Sequence, residues 1–146
     1  MFKNILLATD GSTASAHAAT LAVDLARSQG ALLTVVYVVD PYPFLGIGET
    51  NPMGLQAYLS TARDHAAAAH AYATALCMQA QPPVRTEVRL VENVTAIKGI
   101  LATAKAEDCD LIVAGSHGRT GAAHLLLGSV SAKLVALSTV PVLITR

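Results

Sequence analysis

The 146-residue chain contains no tryptophan and only four tyrosines and two phenylalanines. So few aromatic side chains leave no platform for stacking sugars or bases. Net charge is also missing, because ten Lys and Arg balance ten Asp and Glu. Binding to nucleic acid through clustered positive charge is thereby excluded. No apolar run is long enough to cross a bilayer, and the longest, Ala31–Val39, is interrupted by Thr34. The start, Met1–Ala8, carries one lysine and a brief apolar stretch before Thr9-Asp10. That is a poor signal peptide and a good first strand. There are two cysteines, Cys77 and Cys109, without metal-ligand spacing, so free thiols in a reducing cytoplasm are expected. His65 and His70 are five apart, whereas a zinc pair on one helix face prefers four, and with His17 and His124 they read as exposed. No Walker-type G-x4-G-K-[ST] motif occurs.

What is present is an alternation of strands and helices, with apolar residues at 53% of the chain, enough for the core of one domain over residues 1–146. Ile5–Ala8 reads as a strand and Gly11-Ser12 as a turn. Thr13–Ser28 repeats Ala18, Leu21, Ala22, Leu25 and Ala26 at helical spacing, and Gly30 ends it. Leu32–Val39 reads as a second strand, followed by a Pro- and Gly-containing loop from Pro41 to Pro52. Gly54–Gln81 reads as an Ala-rich helix closed by Pro82-Pro83. Thr86–Val91 alternates polar and apolar residues, as an edge strand with one exposed face does. Asn93 is positioned to cap a helix from Val94 to about Glu107. Asp110–Val113 reads as a fourth strand, Ser129–Ser138 as a fourth helix, and the chain closes on a fifth strand. Strands separated by helices predict an α/β domain, a doubly wound five-stranded parallel sheet with helices on both faces. Ligands of such folds bind at the carboxyl ends of the strands, where the strand order reverses.

One segment concentrates the chemistry. Gly115, Gly118, Gly128 and Ser129 read as G-x2-G-x9-G-S between a strand end and a helix start. There the backbone N–H groups converge on an anion, favoured by the positive end of the helix dipole. Gly115 and Gly118 are expected to turn the chain at positive φ and to leave no Cβ between backbone and ligand. Gly128-Ser129 offers unpaired N–H groups and one hydroxyl, and Val130 and Ser131 continue that first turn. The ligand expected from these residues is a phosphate group. Ser116, His117 and Arg119 lie in the same loop, Arg119 as a direct phosphate contact and Ser116 as support. Thr9 and Asp10 end the first strand. Asp10 suits a ribose, an adenine amine or a divalent cation, with capping of the first helix as the alternative.

The spacing G-x2-G-x9-G-[ST], filled by GSHGRTG and LLLGSV, resembles the signature of the universal stress protein family, in its ATP-binding subclass. Phe2–Ser12 is similar to that family's first strand and turn, Leu33–Asp40 with Pro41 to its second strand, and Pro141–Ile144 to its last. The resemblance implies the strand order 3-2-1-4-5, which periodicity does not supply. It implies ATP as ligand, with Mg2+ as an option, and places Asp10, Val38 and Val39 around the adenosine. It also implies a homodimer through the last strand, Val142–Thr145. After Gly-Ser-Val the family commonly carries Ala-Glu-Lys, where this chain has Ser131-Ala132-Lys133. Before the last strand only Pro141 of its usual pattern persists. The expected function is therefore an ATP-binding protein of the stress response that acts through occupancy and dimer-mediated contacts. A slow ATPase or autophosphorylating enzyme is the alternative, since Asp10 is the one obvious acid at the rim. Other classes on this fold fit less well. An adenylating enzyme wants a Ser-Gly-Gly loop after the first strand, and a receiver wants an acidic pair there. A flavin carrier usually has aromatic flanks, here only Tyr42 and Phe44, and a nucleotide-free interaction module would not need the glycines.

Overall fold

A computed structural model of the chain describes residues 1–42, 52–117 and 127–146, with Pro52 and Met53 described by their backbone alone. The elements are β1 (Asn4–Ala8), α1 (Thr13–Gln29), β2 (Leu32–Val39), α2 (Pro52–Gln79), β3 (Thr86–Glu92), α3 (Ala96–Ala106), β4 (Leu111–Gly115), α4 (Ser129–Leu137) and β5 (Val142–Thr145). The five strands form one parallel sheet in the order β3-β2-β1-β4-β5. From β1 the chain builds outward through β2 to β3, then crosses back to β4 and β5. The reversal therefore falls between β1 and β4, where Ala8 pairs with Ala114.

The three central strands are almost entirely apolar, Asn4 and the buried Thr34 apart, because both their faces are covered. Ile5, Leu7, Leu33, Val35 and Val113 point to one face and pack against the Ala-rich stripe of α1 and against Ala73 and Cys77 of α2. Leu6, Val36, Ile112 and Ala114 point to the other, against Ile100 and Ala104 of α3 and Leu134 of α4. Alanine dominates the helix faces, so α1 and α2 approach the sheet closely. The free thiols of Cys77 and Cys109 lie inside these layers. Burial pushes both thiols up, Cys109 to about 11 despite a hydrogen bond from Thr34.

β2 runs over the residues its composition predicts, and α4 differs by one residue at its end. The helix after β3 starts later than its sequence suggests. Asn93 does not cap it: Asn93 sits in the left-handed region at φ 61 and donates its N–H to Val39 O at 3.2 Å. The helix starts at Ala96, whose N–H is accepted by Asp40 Oδ1 at 3.0 Å from the end of β2. A carboxylate from a neighbouring strand thus replaces the local cap. His70, expected on the surface, is half-buried against the sheet. Gly99 permits α3 to approach β2, since a Cβ there would lie 2.7 Å from Val38 Cγ2.

Candidate functional site

The carboxyl ends of β1 and β4 and the starts of α1 and α4 meet at one rim of the sheet. After β1, the Thr9 N–H is still held by Val36 O at 3.0 Å, so the strand direction persists one residue beyond Ala8. The turn that follows is knitted by side chains. Asp10 Oδ1 accepts from Ser12 N at 2.9 Å, and Thr9 Oγ1 accepts from Gly11 N at 3.2 Å. Gly11 takes φ 78, a left-handed conformation that glycine adopts without a Cβ clash. Ser12 is the N-cap of α1, and its Oγ accepts from Ser15 N at 3.2 Å. Ser15, buried in the same turn, donates its hydroxyl to Ser12 O at 2.9 Å. Asp10 therefore shapes the turn into α1 without capping the helix itself.

The β4 side is knitted by main chain. Ser116 N donates to Thr145 O at 2.7 Å, and Gly128 N donates to Ser116 O at 2.7 Å. One residue thus joins the edge strand β5 to the start of α4. Ser131, buried in the first turn of α4, donates its hydroxyl to Gly115 O at 2.6 Å. Together these bonds fix where the N-terminus of α4 points. The Ser116 hydroxyl lies 3.1 Å from His117 Nδ1.

Gly115 has a different reason from the expected positive φ. Its φ is not in the left-handed region; instead, a Cβ there would lie 2.8 Å from Ala14 C and 2.9 Å from Ala14 O. Both are backbone atoms of α1 and have no rotamer by which to yield. The glycine sets the contact between β4 and α1, which brings the two halves of the rim together. Gly128 likewise needs no left-handed backbone: its φ −61 and ψ 161 are open to any residue.

The first intrahelical bond of α4 runs from Ala132 N to Gly128 O. The N–H groups of Ser129, Val130 and Ser131 precede it and have no helical partner. No side chain among the described residues caps α4. Its N-terminus thus presents donors and the positive dipole end beside the carboxyl ends of β4 and β1. Ser129 is exposed at the first helical position.

Thr9, Asp10, Gly115, Ser116, His117, Gly128, Ser129, Val130 and Ser131 are gathered at this rim, while Gly118 and Arg119 lie outside the described residues. Val38 and Val39 end β2 on the far side of β1. Their side chains point to opposite faces, Val38 toward α3 and Val39 into a cluster with Tyr37, Ala66 and Ala69. Sequence reasoning missed Asp40, which joins that end of β2 to α3, and Thr145, which anchors Ser116. Asp40 was the more findable, since a carboxylate just past a strand end is a common capping partner. A separate groove of about 360 Å³ lies between β3 and α3, lined by Leu90, Val91, Val94, Gly99 and Ala102.

Three comparisons bear on this geometry. The pattern of the Universal stress protein family matches residues 1–146. A universal stress protein of Thermus aquaticus is 38% identical over 147 residues, spanning all of both chains. The structure of a universal stress protein from Lactobacillus plantarum superposes with a TM-score of 0.80 at 24% identity, over 99% of this chain and 97% of that one. A universal stress protein solved in complex with cAMP superposes with a TM-score of 0.63 at 25% identity, over 99% and 97%.

Proposed function

The chain belongs to the universal stress protein family, and from that premise we propose that it binds an adenine nucleotide, ATP, at the β1–β4 rim. The observation that carries this reading is the N-terminus of α4, which no side chain among the described residues caps and which Ser116 and Ser131 aim. In this reading the N–H groups of Ser129, Val130 and Ser131 and the Ser129 hydroxyl take the phosphates. Gly128 leaves that approach open, and Gly118, Arg119 and His117 complete the phosphate loop. Thr9 and Asp10 take the ribose, and the ends of Val38 and Val39 enclose the base. Bound cAMP in a related protein supports an adenine ligand. Among the described residues no three His, Cys, Asp or Glu gather as a metal site, so Mg2+ would arrive with the phosphates.

The site reads as a receptor. Asp10 Oδ1 is engaged by Ser12 N, and fast hydrolysis needs a phosphate-binding lysine and a group that orients water. The protein would act in the cytoplasm as a homodimer paired through Val142–Thr145. That strand is a sheet edge whose four residues are all half-buried within one chain, and such an edge favours a covering partner. Among the described residues no helix is long and apolar enough to cross a membrane.

The test is the nucleotide content of protein purified without added ligand, then calorimetric titration with ATP, with and without Mg2+, and with cAMP. Stoichiometric ATP binding with negligible turnover is expected. Rapid turnover would make the chain an enzyme, and failure to bind any adenine nucleotide would overturn the reading.

A further inference from the structure

Helix α2 lies on β2 and β3 through a stripe of small residues, Ala66, Ala69, Ala73 and Cys77, all buried. One polar ring shares that stripe. His70 meets Tyr37 of β2 edge-on, with ring centroids 6.4 Å apart and planes at 82°. Tyr37 is itself buried. His70 Nε2 is shut off from solvent and has no hydrogen-bond partner among the described residues. A neutral imidazole tolerates an unmatched nitrogen at moderate cost, but an imidazolium there would bring a charge and make Nε2 an unmatched donor.

Among the described residues the surroundings offer no counter-charge. On β3 the register places Thr86, Val88, Leu90 and Glu92 on the α2 side. Glu92 is engaged bidentately by Arg63 of α2, two turns before His70. The Arg89 guanidinium is held by Glu107 of α3 and by Glu87. On α1, Asp24 and Arg27 are paired with each other and His17 is exposed. On α2 itself Asp64 and His65 are exposed. Burial pushes the Cys77 thiol up, so it brings no charge near pH 7. Burial pulls the His70 ring below the ordinary histidine value, a hydrogen bond with the Arg89 main chain opposes this less strongly, and no carboxylate contributes.

We propose that His70 is an acid-sensitive latch at the seam between α2 and the β2–β3 edge, closed when the ring is neutral and loosened when it takes a proton. The same seam buries Val39, so loosening α2 also uncovers the carboxyl end of β2. The latch works whether or not the rim binds a nucleotide.

The sign follows from linkage. A histidine whose folded pKa lies below its unfolded value resists protonation in the fold. Its contribution is complete above about pH 6.5 and is lost as pH falls through the folded pKa. Within that window the folding equilibrium constant falls by up to about tenfold per pH unit from this one group. The test compares denaturant unfolding of the full chain from pH 7.5 to 5 with that of His70→Met, while the His70 ring is titrated by NMR in the unmodified protein. The expected results are a steeper acid loss in the unmodified protein than in His70→Met, and a ring that titrates below 6.5. Backbone amides of α2 and β3 should also lose exchange protection together toward pH 5. Parallel pH profiles for the two proteins, or a ring titrating at or above 6.5, would overturn the proposal. The ring titration decides the matter even if the variant fails to fold.

Discussion

Helices α1 and α4 both begin at the same rim, yet their N-termini are finished in opposite ways. α1 is closed by its own chain: Ser12 caps it, Ser15 locks the turn, and Asp10 holds Ser12. α4 starts on Gly128 with no side-chain cap among the described residues, while Ser131 turns its hydroxyl back to Gly115. Helix α3 agrees with α1, because Asp40 satisfies its Ala96 N–H from another strand. Where two helix starts are capped and a third, beside the crevice, has no side-chain cap among the described residues, that third place has donors to offer an anion. The half of the rim with Asp10, Ser12 and Ser15 is thereby closed by its own side chains, and the half with Gly128 is where the proposed nucleotide's phosphates would sit.

The comparison breaks most sharply if α4 is closed as α1 is. Gly128→Asp supplies both a capping oxygen and a negative charge where phosphate would sit. ATP affinity measured by calorimetry should fall about a hundredfold, near 2.7 kcal/mol, while thermal stability holds or rises slightly. Undiminished affinity would mean that the anion does not approach this helix. A smaller effect is expected from Ser131→Ala, which leaves the half-buried Gly115 carbonyl without its hydroxyl donor. Denaturant unfolding should show a loss of about 2 kcal/mol, with weaker ATP binding as α4 loses its aim. The smallest is expected from Ser12→Ala, which opens α1. Stability should drop by about 1 kcal/mol with ATP affinity unchanged within twofold. A large loss of affinity in that variant would show that the first turn of α1 receives ligand too.

Much of the architecture was legible because its signals are local. The β-branched run Leu32–Val39 and the glycine at 30, observed at φ 64 as the C-cap of α1, speak through period and backbone preference alone. Asn93 misled for a physical reason. It is a good cap residue by type, but the chain needed a left-handed turn there to reach α3, a conformation that asparagine also accepts. The positive φ expected at Gly115 is not there; its close approach to Ala14 joins two elements distant in sequence and leaves no mark in local spacing. His70 was placed on the surface for the same cause: an isolated histidine in an Ala-rich helix does not declare which face its neighbours will cover.

By itself the sequence determined the alternation of strands and helices, the apolar strands that must be covered on both faces, and the glycine-flanked loop that identifies the family. These follow from side-chain periodicity and from the few residues able to adopt a given turn. Only the tertiary structure decided which helix starts are capped, that Asp40 and Thr145 reach across strands to fix α3 and Ser116, and that His70 lies inside the seam. Each of those depends on groups far apart in the chain meeting at hydrogen-bond or van der Waals distance, and packing alone sets such meetings.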